Sequence, residues 1–263
     1  MVSYRRMETN SNLCTFDGRV ALVTGAAGNI GFAVCRRLAA HGVRIAACDL
    51  DAAATTARFS PLVAAGADVR AYAMDVTARD SVFAAVRTAV SDFGKIDILV
   101  NNAGVWEHRD VKGRQRFEEM APSEWKRLLD IDVDGVFHVT QAVLPEMLRN
   151  GYGRIVNLTS IAGEVGLPGY ADYATAKAGL IMLTKTLAME NAKRGITVNC
   201  VSPGMVAVGD VSPTPGTWIG RTGTADEMAR AIVFLAADES GFITGVDIPV
   251  EGGRILGPHK CDM

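Results

Sequence analysis

The sequence is short of the features that mark several functional classes. No apolar run reaches the ~20 residues a membrane-spanning helix needs, so no membrane partner is expected. Basic residues are slightly outnumbered, 27 against 29 acidic ones for a net charge of −2. No dense Lys/Arg run with interleaved aromatics restores a local positive field, which makes nucleic acid an unexpected partner. Cys14, Cys35, Cys48, Cys200 and Cys261 contain no C-x-x-C pair, arguing against a disulfide framework or zinc site and for a reducing compartment. His41, His108, His138 and His259 are equally scattered, so no metal is expected. Arg5 and Arg6 lead into Glu8, Asn10, Ser11 and Asn12 rather than an apolar core. No secretory signal is read there, and the cytoplasm is the expected location.

What is present is an ordinary globular mixture, 49% hydrophobic and 21% charged over 263 residues. A chain of that length buries roughly 70–75% of its unfolded surface and builds a core without staples. After a polar lead over residues 1–15, expected to be flexible, short apolar runs alternate with helical periodicity. Strands are expected at Arg19–Thr24, Arg44–Cys48, Val69–Met74, Ile96–Asn101, Arg154–Leu158, Thr197–Ser202 and Ile243–Val250. Helices are expected at Asn29–His41, Ala52–Ala65, Ala78–Phe93, Ser123–Arg149, Tyr173–Lys193 and Thr224–Ala237. Repeated β-α units imply an α/β chain, a doubly wound parallel sheet with helices on both faces. No linker divides residues 16–263, so one domain is expected. Gly and Pro concentrate over residues 203–222, predicting a substrate loop at 205–220 above the carboxyl ends of the strands, where open α/β sheets bind ligands.

The first strand runs into Thr24-Gly25-Ala26-Ala27-Gly28-Asn29-Ile30-Gly31. A glycine-rich turn lets backbone N–H groups approach a pyrophosphate, and the helix starting there points its positive end at the same anion. Asp49 closes the second strand, where a carboxylate accepts both ribose hydroxyls of an adenosine. It would repel a 2′-phosphate, and neither Gly28 nor Leu50 supplies a basic residue to attract one, so NAD is the expected cofactor. Asp75 and Val76 end the third strand beside the adenine position.

Tyr173 and Lys177 are spaced to share one face of a helix, and Ser160 follows a strand end. Unit charges ~4 Å apart at an effective dielectric near ~20 interact by ~4 kcal/mol, enough for a cation to ready a phenol for proton transfer near neutral pH. With these residues, residues 17 to 253 resemble the short-chain dehydrogenase/reductase family. The resemblance rests on the glycine turn, Asp75-Val76, Asn101-Asn102-Ala103-Gly104, Ser160, Tyr173-x-x-x-Lys177, Pro203-Gly204, Thr244-Gly245 and Gly252-Gly253. It implies Tyr173 as acid/base, Lys177 on the nicotinamide ribose and biasing the phenol, and Ser160 on the substrate oxygen. It also implies Asn102, Ala103 and Gly104 beneath the adenosine, Pro203, Gly204 and Val206 against the nicotinamide, and a homodimer or homotetramer packed through the small residues Ala174, Ala176, Ala178 and Gly179.

The chain departs from the family pattern at three places. Asn29 replaces a turn glycine, a change tolerable if Asn adopts the left-handed backbone. Asp132 stands where the family carries a catalytic Asn; a carboxylate only accepts, so it pairs with Lys177 or takes a relay water and offsets part of the pull on the phenol. Val208 stands where relatives carry a Thr that bonds the carboxamide. Trp106, Glu164, Tyr170 and Met205 are expected around a small-molecule substrate, with His108 and Arg109 nearby and His138 a packing residue. The expected function is NAD-dependent interconversion of a secondary alcohol and a ketone. The alternatives are a dinucleotide-binding scaffold with weakened catalysis and an acyl-carrier 3-oxoacyl reductase, the latter disfavoured by Asp49 and the lack of a basic docking patch.

Overall fold

The computed structural model describes residues 14–105, 107 and 115–257. Seven parallel strands form one sheet in the order β3-β2-β1-β4-β5-β6-β7. They are β1 (Val20–Thr24), β2 (Arg44–Asp49), β3 (Val69–Ala73), β4 (Ile98–Asn101), β5 (Gly153–Leu158), β6 (Ile196–Pro203) and β7 (Asp247–Val250). Chain order reverses between β1 and β4, which opens a crevice at their carboxyl ends.

Alternation along β1 divides the core. Ala21 and Val23 pack with Val34 and Leu38 of α1 (Asn29–Ala40), Phe59 of α2 (Ala52–Ala64) and Ile232 of α8 (Ala225–Ala236). Val20 and Leu22 face the other way, toward Val86 of α3 (Arg79–Phe93), Val139 and Val143 of α5 (Gly135–Asn150) and Ala188 of α7 (Ala171–Asn191). Period-2 side-chain direction, with helices on both faces, explains why β1 is buried at every position.

Helix ends follow local chemistry. Asp51 caps α2 by accepting from the N–H groups of Ala53 and Ala54, and α3 ends at Gly94 with φ +81°. Thr224 and Glu227 form a reciprocal capping box on α8.

Four expectations are corrected. The single helix expected over Ser123–Arg149 is three pieces: α4 (Pro122–Leu129), a π turn over Asp130–Asp134, and α5. Gly135 follows the π turn against Val76, whose Cγ2 would lie 2.8 Å from an added Cβ. The last strand begins at Asp247 rather than Ile243, because Thr244 turns its hydroxyl to the Val198 N–H and Gly245 has φ +75°. Strand β4 starts at Ile98 because the Asp97 carboxylate turns back to accept the Val20 N–H at 2.9 Å. The lead expected through residue 15 falls on residues 1–13 outside the described ones, but Thr15 is tied down, donating from its N–H and hydroxyl to Glu239. Among the described residues no helix is long and apolar enough to cross a membrane.

Arg221 hydrogen-bonds the Glu227 carboxylate, and the Thr224 N–H joins it, drawing the Glu227 carboxyl from 4.5 down to about 2. A carboxyl depressed in the folded state stabilises above its unfolded value, and that stability is lost as pH falls through the folded one. Glu227→Gln is therefore expected to lower the thermal midpoint at pH 7. The gap to the parent should close between pH 4.5 and about 2, as followed by circular dichroism; a pH-independent gap would refute the charge contribution.

Candidate active site

The turn after β1 is built on two glycines. Gly25 has φ +60° and lies so close to the segment after β4 that an added Cβ would be 2.9 Å from Ala103 Cα. At Gly31 a Cβ would sit 2.2 Å from the Gly25 carbonyl oxygen, so no side chain fits between turn and helix. Asn102 locks the turn, its Nδ2 donating to the carbonyls of Thr24 and Gly25 at 2.9 Å each. The Asn102 and Ala103 N–H groups in turn donate to Thr24 Oγ1.

Unlike α2 and α8, α1 begins at Gly28 with no side-chain cap and no acid in its first turn. The N–H groups of Asn29, Ile30 and Gly31, the first of the helix, have no intrahelical acceptor and no carboxylate cap, a donor set suited to a pyrophosphate. Asn29 needs no left-handed backbone: among the described residues only glycines have positive φ. The reason offered for tolerating Asn29 is thus corrected. It is simply the first helical residue.

From this turn a groove of about 580 Å³ runs over the switch point, lined by Gly25, Asp49, Leu50, Asp75, Val76, Ala103 and Gly104. The Asp49 carboxylate accepts from the N–H groups of Ala27 and Leu50 at 2.8 Å, fixing it at the carboxyl end of β2. Leu50 is 72% exposed. Asp75 Oδ1 accepts from the Thr77 N–H and hydroxyl, closing the end of β3. His138 is a packing residue, with Nδ1 3.0 Å from the Val76 carbonyl oxygen.

The sequence reading missed the groove's other wall, made by Ser123, Lys126, Arg127 and Asp130. Its only signal was the spacing of opposite charges on one helix. Lys126 pairs with Asp130 at 2.5 Å and Arg127 with Glu124 at 3.0 Å, so both cations are already engaged by acids.

Tyr173, Lys177, Ser160 and Asp132 gather at the other end of the crevice. Lys177 lies on the buried stripe of α7 with Leu180, Thr184 and Ala188 and is 5% exposed. Its Nζ donates to the carbonyl of Leu158, the last residue of β5, at 3.1 Å. It sits 5.5 Å from the centroid of the Tyr173 ring. Ser160 lies just beyond that strand end, its Oγ accepting the Ala162 N–H at 3.1 Å. The short α6 (Ala162–Val165) is pressed onto α7 at Gly163, where a Cβ would be 2.7 Å from the Ala178 nitrogen. That contact holds the Ser160 segment against the Tyr173–Lys177 turn.

The π turn aims Asp132 into this cluster. Asp132 is fully buried. Its Oδ1 accepts the Val105 N–H at 2.8 Å and its Oδ2 forms an ion pair with Lys177 Nζ at 3.1 Å. Burial works against the Lys177 ammonium, but the opposing pull of Asp132 and then of Tyr173 leaves its pKa raised. The carboxylate so pairs with the lysine, as one of the two expected arrangements.

At the substrate end, Pro203 closes β6 and its carbonyl accepts the Ile161 N–H. Gly204 packs on Glu251, whose Cβ would be 2.6 Å from an added Cβ. Val206 bridges Gly223, and Ser212 and Thr214 pair with Thr222 and Gly220. The expected loop over 205–220 is therefore cross-bonded to residues 220–223, antiparallel at Pro213 and Arg221 and parallel at Val206 and Gly223. Met205 stays exposed, with its Sδ 3.0 Å from an Arg254 nitrogen, and Val208 is 89% exposed. Glu164 is exposed, and its carboxyl is pushed up by partial burial and then by Asp247 and Glu251. Tyr170, expected as a wall of the substrate site, is only 7% exposed: it starts α7 from within the core and offers little surface. Trp106, His108 and Arg109 lie outside the described residues.

Residues 25–254 match the adh_short_C2 family model, described as enoyl-(acyl carrier protein) reductase. The chain is similar to the acetoacetyl-CoA reductase of Allochromatium vinosum, 39% identical over 90% of this chain and 99% of that one. It is similar to the Escherichia coli 3-oxoacyl-[acyl-carrier-protein] reductase FabG, 37% identical over 92% and 99%. An NAD⁺-bound xylitol dehydrogenase structure superposes with a TM-score of 0.83 at 36% identity, covering 90% and 98% of the two chains. Strand order, glycine turn and matches spanning most of each relative agree, and the chain belongs to the short-chain dehydrogenase/reductase family of oxidoreductases, which use nicotinamide cofactors.

Proposed function

We propose that the chain is an NAD-dependent oxidoreductase that interconverts a secondary alcohol and a ketone, with Tyr173 as its general acid/base. The observation that carries this reading is the Lys177 ammonium, held between the end of β5 and the Tyr173 ring. A nicotinamide dinucleotide suits the groove: the open amides of α1 take the pyrophosphate, Asp49 the adenosine ribose and Lys177 the second ribose. Pro203, Gly204 and Val206 bound the nicotinamide end. When bound, the cofactor supplies the hydride acceptor or donor.

The protein moves the proton. In alcohol oxidation the Tyr173 oxygen takes the hydroxyl proton as the carbonyl forms; in reduction it returns a proton to the carbonyl oxygen. The Ser160 hydroxyl donates to the same substrate oxygen, which orients the reacting carbon and stabilises negative charge on that oxygen. Tyr173→Phe and Lys177→Ala are each expected to reduce turnover by at least ~10²-fold, with circular dichroism unchanged in Tyr173→Phe. Wild-type rates in Tyr173→Phe would overturn the acid/base assignment.

NAD preference follows from Asp49 and from the absence of an adjoining cation at Gly28 or Leu50. In the double variant Asp49→Ala/Leu50→Arg, the ratio of kcat/KM for NADP over NAD is expected to rise at least ~10-fold, since a 2′-phosphate gains a guanidinium and loses a repelling carboxylate. An unmoved ratio would show that another group reads the ribose.

A second reading, reduction of 3-oxoacyl thioesters, draws support from the names of the bacterial relatives. Secondary alcohols with NAD, assayed beside acetoacetyl-CoA with NADH and NADPH, separate the two. NAD binding with turnover in neither assay would favour the scaffold reading. A homodimer or homotetramer is proposed from Met182 and Met189 on α7 and Phe137 on α5, all exposed. Ala176, expected at that interface, is instead buried within the protomer. Light scattering should return two or four times the 27.9 kDa chain mass; a monomer would refute it.

A further inference from the structure

Asn29 stands at the first residue of α1, and the structure gives its side chain a partner. Arg58, in the second turn of α2, crosses to α1: its Nη2 donates to Asn29 Oδ1 at 3.4 Å, and its guanidinium lies 4.8 Å from the centroid of the Phe32 ring. Phe32 is held in turn by Phe59 of α2, with ring centroids 5.1 Å apart, and Phe59 is buried. A cation is attracted to an aromatic face, so an otherwise flexible side chain is laid along the first turn of α1. Asn29 and Phe32 are three residues apart on one face of that helix, and Arg58 spans both.

The fixed charge around the adenosine end is otherwise negative or already paired. Asp49 and Asp75 line the groove, and Asp51 caps α2. Lys126 and Arg127 on the opposite wall are engaged by Asp130 and Glu124, and Arg36 and Arg37 of α1 by Asp226. Arg58 is exposed, and among the described residues its polar and ring contacts are Asn29 and Phe32, with no carboxylate in ion-pair reach. A dinucleotide brings a negative charge on each phosphoryl group into this field, and the positive end of a helix, worth about half an elementary charge, offsets only part of it.

We infer that Arg58 is a further cofactor-binding residue, a guanidinium preset by Phe32 and Asn29 to take a phosphoryl oxygen of the pyrophosphate at the N-terminus of α1. The planar fork of a guanidinium keeps donors free while one of them is engaged, and a charge-assisted bond to phosphate is stronger than a neutral one. Its contacts select the pyrophosphate over a 2′-phosphate. Both lie on α1, whereas a 2′-phosphate would stand beside Asp49 at the end of β2, a carboxylate with which Arg58 does not pair. The same contacts account for Asn29, whose side-chain oxygen holds a guanidinium where a glycine would offer no acceptor.

The inference rests on the reading of the α1 turn as the pyrophosphate site, and its test needs no substrate. ADP-ribose, NAD and NADP are titrated calorimetrically at low salt into the full-length parent, Arg58→Met and Arg58→Lys proteins, and adenosine is titrated by saturation-transfer NMR. Methionine keeps an apolar stem on Phe32 and removes the charge. In Arg58→Met the Kd for ADP-ribose and NAD is expected to rise at least about 5-fold, in Arg58→Lys by less, while that for adenosine, which has no phosphate, stays at the parent value. NADP should lose no larger a factor than NAD, and added NaCl should narrow the gap between parent and Arg58→Met. If Arg58→Met does not fold by circular dichroism, Arg58→Gln serves with the same expectation. Unchanged ADP-ribose binding, a loss shared equally by adenosine, or a loss confined to NADP would overturn the inference, the last by assigning Arg58 to the 2′-phosphate. A parent that binds no ADP-ribose would overturn the reading of the turn itself, and the role of Arg58 with it.

Discussion

A buried ammonium organises the catalytic end of this protein. Lys177 is drawn into the core by the apolar stripe of α7, and burying an unpaired charge costs far more than a helix gains by packing one more stem. Two acceptors make the burial tenable, the Leu158 carbonyl and the Asp132 carboxylate. Each ties a different part of the chain to the same nitrogen: the end of a central strand and a turn inserted between two helices. The phenol of Tyr173 one turn earlier takes its place from this arrangement, and so does the Ser160 segment held by α6. A substitution at Lys177 or Asp132 would therefore reach beyond the residue changed, because it leaves a charge in the core without its partner.

The other end of the crevice answers to a different constraint. Backbone must come close to backbone where β1 turns into α1, and any Cβ at Gly31 would strike the Gly25 carbonyl. Once that space is closed, Asn102 satisfies the carbonyls of the turn and leaves the amides of α1 to a ligand. Asp49 braces the same turn through the Ala27 N–H. The anion-binding end and the proton-transfer end are thus held by separate networks, joined through β4 and the Asn102–Val105 segment. Val105 donates to Asp132, and Asn102 grips Thr24 and Gly25, so a short stretch of chain spans both.

Much of this was legible from residue order. Alternating apolar runs and helical periodicity report local backbone preference and the side a residue must bury, and both act within a few residues. Spacing also foretold the Tyr173/Lys177 pair, since a helix sets neighbours three and four apart on one face. The π turn over Asp130–Asp134 was not legible. Helical periodicity continues through it, and it arises where Gly135 meets Val76, a side chain distant in sequence. The burial of Tyr170 and the cross-bonded loop after β6 depend likewise on what packs against them.

From residue order alone came the parallel α/β class, the dinucleotide turn and the residues able to move a proton, because each rests on local conformation or on chemistry carried by the side chain itself. Tertiary structure decided which of two arrangements Asp132 takes, that Tyr170 is interior and that Lys126 and Arg127 wall the groove as spent charges. These are questions of which group lies within a few ångströms of which other, and a buried charge or a hydrogen-bond donor settles them only when the whole chain has folded and removed water from around it.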